Sequence, residues 1–146
     1  NNPNDIQARE KMAEASIVAG VAFSHPRTTG SHACSFPLTN IYGMPHGEAC
    51  AFTLDYFIKF NADNADGDGR ITALAKDCGF ESPYAMADEI TAMKKQMGMR
   101  TKLSEIGCTT DEQIRELTKK SMSMLMKRNP IELTEDDIYE MYNKLK

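Results

Sequence analysis

What most constrains this chain is its punctuation. Ser82 is followed by Pro83, Thr110 by Gln113 three positions on, and Thr134 by Asp137. A hydroxyl at an N-cap accepts a hydrogen bond from the unpaired amides of a first helical turn, and Pro at the first helical position forfeits no bond. These are helix starts. Gly43, Gly79 and Gly98 supply matching stops, because glycine enters the left-handed backbone that ends a helix without steric cost. Strand-like alternation never lasts beyond a few residues, so the spacing predicts an all-α fold, a helical bundle formed as a single domain over residues 1–146.

Between these marks the helices can be placed. Ile6 to Phe23 is free of Pro and rich in good helix formers, with Ala13, Ser16, Ala19 and Gly20 giving a small-residue face suited to close packing on another helix. A loop with His25, Pro26, Thr28 and Thr29 follows. Thr29 or Ser31 is the expected N-cap of a helix that carries His32, is kinked or delayed by Pro37, and ends at Gly43. The next helix is expected from Pro45 to about Phe60, with Phe52, Tyr56 and Phe60 as a core stripe. Ile71 to Cys78 and Ser82 towards Gly98 are two more. Ile114, Leu117 and Leu125 are placed on one helix, and Ile138, Met141, Tyr142 and Leu145 stripe the last.

The 146 residues are 41% hydrophobic and 26% charged, enough for one substantial core. A net charge of −4 with scattered Lys and Arg gives no reason to expect nucleic acid or an anionic membrane as partner. Cys34, Cys50, Cys78 and Cys108 contain no C-x-x-C pair, which argues against a zinc knuckle and for buried free thiols in a reducing compartment. With no apolar run of membrane-spanning length and no signal-peptide core, the expected location is the cytoplasm.

Chemistry concentrates between Gly30 and Phe52, which hold two of the three histidines. His32 lies early in one helix; His46, fourteen positions later between Pro45 and Gly47, opens another. A helix N-terminus opposes protonation of an imidazole, and a metal ligand must be neutral. The same dipole disfavours a nearby cation, so carboxylates from elsewhere are needed beside it.

The order of residues here, His-x13-His with the second His inside Pro-His-Gly and followed by Ala49 and Ala51, resembles the signature of the iron-containing (group III) alcohol dehydrogenases. The resemblance extends to AREKMAEASIVAGVAF (8–23), LSEIGCTTDEQIREL (103–117) and RNPIELTEDDIYEMY (128–142), in the family's order. It implies His32 and His46 as ligands of Fe2+ (or Zn2+), a helical fold like the family's C-terminal domain, and use of NAD or NADP. It also implies a small alcohol or aldehyde substrate and a homo-oligomer. Phe36 stands where many members carry another histidine near the nicotinamide, and is assigned only an apolar contact with cofactor or substrate. Ile131 replaces the arginine of the family's Asn-Pro-Arg ending, so that charge is lost. HGEA also resembles the glycerol dehydrogenase and dehydroquinate synthase branch, but the fourteen-residue spacing and the NP-x-x-x-T ending favour the alcohol dehydrogenases. The FPLTN segment resembles a branch acting on phosphonoacetaldehyde-like small aldehydes.

Two imidazoles do not complete a catalytic metal site. In the family an Asp and a His one turn apart on an earlier helix finish the set, and neither that helix nor a Gly-rich phosphate loop occurs in residues 1–146. The expectation is therefore the C-terminal portion of such an enzyme, partnered by an N-terminal dinucleotide-binding domain. Alone it should bind metal weakly and show no turnover, with no residue of its own in a proton-transfer or nucleophilic role. A rival reading is a non-catalytic calcium module at residues 64–72, where Asn64, Asp66, Asp68, Gly69 and Ile71 imitate an EF-hand loop that lacks its closing Glu at Ala75.

Overall fold

A computed structural model describes residues 2–146, and among these every regular element is helical. The order is α1 (Ile6–Phe23), α2 (Gly30–Tyr42), α3 (His46–Phe52), α4 (Leu54–Ala65), α5 (Arg70–Asp77), α6 (Pro83–Gln96), α7 (Asp111–Ser121) and α8 (Glu135–Lys144). Short 3-10 turns at Leu103–Ile106 and Met126–Arg128 flank α7. The caps act where the sequence places them. Ser82 accepts from the Ala85 amide, while Thr110 with Gln113 and Thr134 with Asp137 form reciprocal capping boxes.

Helix α2 is the centre of the bundle, packed on α3 and α7 and touching α4, with α7 against α8 and α4 against α6. It buries Gly30, Ala33, Cys34, Ser35, Pro37 and Leu38. Facing them are Phe52, Ile114, Leu117, Ile138, Met141 and Tyr142, all fully buried. Each such large apolar side chain is worth about 1.5–3 kcal/mol of burial. Gly30 is required by packing: a Cβ there would stand 2.3 Å from Cε1 of the buried Phe57 ring. Tyr56 and Phe60 stack at 5.9 Å and pack on this core, as the stripe predicts.

Several expected boundaries move. α2 runs unbroken through Pro37; Thr29 is its N-cap, as expected, but without a side-chain capping bond, and the Ser31 hydroxyl donates to the Cys50 carbonyl at 3.0 Å. The helix expected from Pro45 to Phe60 is two, divided at Thr53 (φ −109°, ψ 3°), with Pro45 as N-cap. Buried Lys94 donates to the Phe52 carbonyl at 3.2 Å, giving the end of α3 a partner from outside the helix. Leu125 lies beyond the end of α7 at Ser121, in the approach to the second 3-10 turn. All four cysteines are free, but only Cys34 and Cys108 are buried; Cys50 is half-buried and Cys78 exposed.

Helix α1 departs most. Its N-cap is Asp5, whose carboxylate accepts from the Ala8 amide at 3.0 Å, yet among the described residues it buries none of its own and no other helix packs extensively against it. Among the described residues no helix is long and apolar enough to cross a membrane.

The calcium-like stretch is part helix. Residues 61–65 belong to α4, and the Asn64 amide donates to the Phe60 carbonyl. Asp66 spends its carboxylate on the Ile71 and Thr72 amides and the Thr72 hydroxyl, and Asp68 pairs with Arg70 at 2.8 Å. These oxygens start α5 rather than surround an ion, which is the turn-forming role of Asp in such loops.

Candidate metal centre

The turn between α2 and α3 builds the site. Gly43 adopts the left-handed conformation (φ 66°), its amide bonds the Thr39 carbonyl at 3.0 Å and the Met44 amide reaches Leu38 at 3.3 Å. The chain is thereby reversed within three residues, and α3 lies back along α2. His32, in the first turn of α2, and His46, the first residue of α3, then meet with ring centroids 4.8 Å apart and planes at 84°. The Ser31–Cys50 hydrogen bond ties the two helices at this level.

A third donor comes from α3 itself. One turn after His46, the Cys50 sulfur stands 3.4 Å from His32 Nδ1 and 3.7 Å from His46 Nε2. The three potential ligand atoms lie within 4.8 Å of one another, the sole such group of His, Cys, Asp and Glu among the described residues. Zinc bonds of about 2.3 Å to sulfur and about 2.0 Å to nitrogen at a tetrahedral angle place such ligands about 3.5 Å apart, so the sulfur-to-nitrogen distances fit a shared divalent ion. Cys50 was not foreseen as part of this site. The signal was present, since positions i and i+4 share a helix face.

Electrostatics favour neutral imidazole at His32. Its pKa is lowered first by burial and then by the neighbouring His46, which opposes a second positive charge. Phe36 leans on the pair, 5.1 Å from His32 edge-on and 5.7 Å from His46, while remaining 41% exposed. Gly47 faces open space: a Cβ there meets nothing within 4 Å. His25 lies in the exposed turn after α1, outside this group.

The nearest carboxylate on α3 is committed elsewhere. Glu48 accepts from the Arg100 backbone amide at 2.8 Å, from Nε at 2.9 Å and from Nη2 at 2.7 Å, and this guanidinium holds its carboxyl below the usual range. Lys94, 3% exposed, pairs with Asp55 at 2.8 Å, and the Thr91 hydroxyl donates to the same carboxylate at 2.6 Å. The two arrangements pin α3 and the start of α4 to α6 and the segment after it. Cys34, two residues from His32, points the other way into the core near Tyr142, Ser121 and Thr53, and burial pushes its thiol up to about 11.

Beside His32 opens a cavity of about 420 Å³ lined by Phe23, Ser24, Arg27, Thr28, His32, Leu125 and Arg128. Its walls come from the loop after α1 and from the second 3-10 turn, segments for which the sequence predicted no role.

Comparison with known proteins gives the family and the fold. The family model "Fe-containing alcohol dehydrogenase family, C-terminal" matches residues 1–146. Long-chain-alcohol dehydrogenase 1 of Geobacillus thermodenitrificans is 30% identical over 97% of this chain and 38% of its own length. Among solved structures, sulfoacetaldehyde reductase from Bifidobacterium kashiwanohense in complex with NAD+ superposes with a TM-score of 0.93 and 49% identity, covering 99% of this chain and 38% of that one. The iron-containing alcohol dehydrogenase of Thermococcus thioreducens gives 0.81 at 27% identity, over 97% of this chain and 38% of its own. The chain thus spans little more than a third of the length of these relatives. On a match over its whole length, it belongs to the Fe-containing alcohol dehydrogenase family, and to the C-terminal part of it.

Proposed function

We propose that this chain is the metal-binding helical wall of an NAD(P)-linked enzyme that interconverts a small alcohol and its aldehyde or ketone. The observation that carries the reading is the convergence of His32 and His46 from two helices onto one point, with Cys50 at ligand spacing beside them. Relatives named for aldehyde reduction, sulfoacetaldehyde reductase and the lactaldehyde reductase of Escherichia coli, support the substrate class.

His32 and His46 would hold divalent iron or zinc through two imidazole nitrogens, and Cys50 would add a sulfur from the same wall. When bound, such an ion would supply Lewis acidity at the open end of this wall. Phe36, exposed next to both rings, gives an apolar surface to the nicotinamide or to the substrate carbons and keeps water from that side. Arg100 withholds Glu48 from the ion and sets the position of α3, and through it of His46. The remaining ligands and the dinucleotide fold are assigned to a separate dinucleotide-binding domain facing this wall.

Titration of the purified chain with Co2+, followed by visible and near-ultraviolet absorption, tests the assignment. Saturable d–d bands should vanish in His32→Ala and in His46→Ala, and the sulfur-to-cobalt band should vanish in Cys50→Ala. Spectra unchanged in both histidine variants, with folding intact by circular dichroism, would sink it.

A further inference from the structure

The arginines of this chain sort into two groups. Arg9 donates to the Pro3 carbonyl, Arg70 pairs with Asp68, Arg100 with Glu48 and Arg115 with Asp111. Arg27 and Arg128 remain, and among the described residues no carboxylate, carbonyl or aromatic ring receives either guanidinium. Both line the same cavity, the one that reaches His32, and no Asp or Glu lines it with them. The chain as a whole carries a net charge of −4, so two unneutralised cations facing one hollow are not explained by excess basic residues. The Thr28 hydroxyl, likewise without a partner among the described residues, lines the same wall, whereas Ser24 is engaged, donating to the Val21 carbonyl at 2.7 Å.

Arg27 is also the single non-glycine residue at positive φ (66°) among the described residues. A branched-free but bulky side chain is held in that conformation only against a steric cost, here at a position on the cavity wall.

We infer that this cavity is an oxyanion subsite, and that the substrate of the proposed reaction is a small aldehyde or alcohol bearing a sulfonate or phosphonate. The inference rests on the dehydrogenase reading for the reacting end and on the two arginines for the other. A guanidinium binds oxyanions through a planar fork of N–H donors. One fork uses both oxygens of a carboxylate, whereas a sulfonate or phosphonate offers three and can engage two forks and the Thr28 hydroxyl at once. Because His32 shares the wall, a short molecule held by its charged end presents its other end to the histidine pair. Arg27 and Arg128 act as specificity-determining residues: they fix which substrates enter and take no part in hydride transfer.

An oxyanion could also come from the pyrophosphate of the dinucleotide, and the experiment separates the two sources. The full 146-residue chain, labelled with 15N, is titrated with 2-hydroxyethanesulfonate, with uncharged ethane-1,2-diol and with inorganic pyrophosphate. The sulfonate should shift amides around Arg27, Thr28 and Arg128 saturably. Arg27→Gln and Arg128→Gln should each weaken it by about tenfold or more, the usual scale for a lost charge-assisted bond, and Arg→Lys should recover part. Both side chains are exposed, so the variants should keep the parent spectrum elsewhere. Overturning results are an equal response to the diol, binding of pyrophosphate without the sulfonate, unchanged affinity in both Gln variants, or no saturable shift by any probe. The Co2+ titration is read on the same samples. Lost metal binding with retained sulfonate binding would remove the dehydrogenase reading and leave the subsite, and the converse would do the reverse.

Discussion

Two clusters of polar and titratable side chains lie on the surface of this bundle, and they differ in how far their bonding is completed. On the α7–α8 face, Tyr139 and Arg115 both donate to Asp111, and the Arg115 guanidinium also lies 4.5 Å from the centre of the Tyr139 ring. Both charges of this cluster, Asp111 and Arg115, have an internal partner. On the α2–α3 face, His32 and His46 have only a thiol between them, and Arg27 and Arg128 have none. Closed clusters hold helices together, whereas open clusters keep bonding capacity for something outside the chain. If so, breaking a closed cluster should change stability without changing binding, and breaking an open one should do the opposite.

The sharpest form of that contrast uses the most buried closed cluster. Lys94→Ala leaves the Asp55 carboxylate, whose side chain is 16% exposed, without its cation and the Phe52 carbonyl without its donor. Removing one member of a buried pair strands the other, at a cost of about 3 kcal/mol, or roughly 10 °C in melting temperature for a domain of this size. His46→Ala removes an exposed ring and should move the melting temperature by no more than about 2 °C, within the range of neutral surface changes. Its Co2+ affinity should fall by more than the roughly 10–100-fold that is typical when only an outer hydrogen-bond partner of a ligand is lost. Thermal melts and metal titrations of both variants check this crossover. A His46→Ala chain destabilised as much as Lys94→Ala would show the open cluster to be structural.

The same division explains what could be read from the sequence. Ser82, Thr110 and Thr134 mark their helices correctly because a cap is chemistry between residues three apart. The break at Thr53 was hidden, since both flanks look helical and the donor to the Phe52 carbonyl lies 42 residues away on α6. The extension of α4 beyond Phe60 was hidden likewise: Asn61 is held there by a reciprocal amide pair with Asn129. The resemblance carried by the Pro-His-Gly context led to the expectation that His32 and His46 act together, and the two rings do meet. Cys50 was overlooked among four cysteines with no paired pattern, although its position four after His46 puts it on the same face. The cavity arginines were not legible, because residue 27 in a loop and residue 128 in the second 3-10 turn come to line one cavity only once the whole bundle has formed.

Gly30→Ala probes the seam between the open face and the core. Its Cβ would stand 2.3 Å from one Phe57 ring carbon and 2.6 Å from another, so the buried ring or the first turn of α2 must shift. Overpacking of this kind costs about 1–3 kcal/mol. Because His32 is two residues on, any shift taken by α2 also moves an imbedded ligand, and Co2+ affinity should drop with stability. Measured together, the two losses locate the strain: stability alone falling would mean that Phe57 yields and α2 stays in place.

The smallest effect belongs to the closed surface cluster and depends on pH. The Tyr139 hydroxyl, and after it Arg115, hold the Asp111 carboxyl below its ordinary 3.8. A carboxyl depressed in the folded state contributes stability that is complete above the unfolded value and is lost as pH falls through the folded one. Asp111→Asn cannot titrate there, so wild type should melt slightly above the variant at pH 7. That gap should hold down to about pH 5, narrow below 3.8 and close under the lowered pKa. Salt should shrink it at neutral pH, because the pair is solvent-exposed. A gap that widens on acidification would mean that Asp111 is strained rather than satisfied by its neighbours, and the α7–α8 cluster would then belong with the open face instead of opposite it.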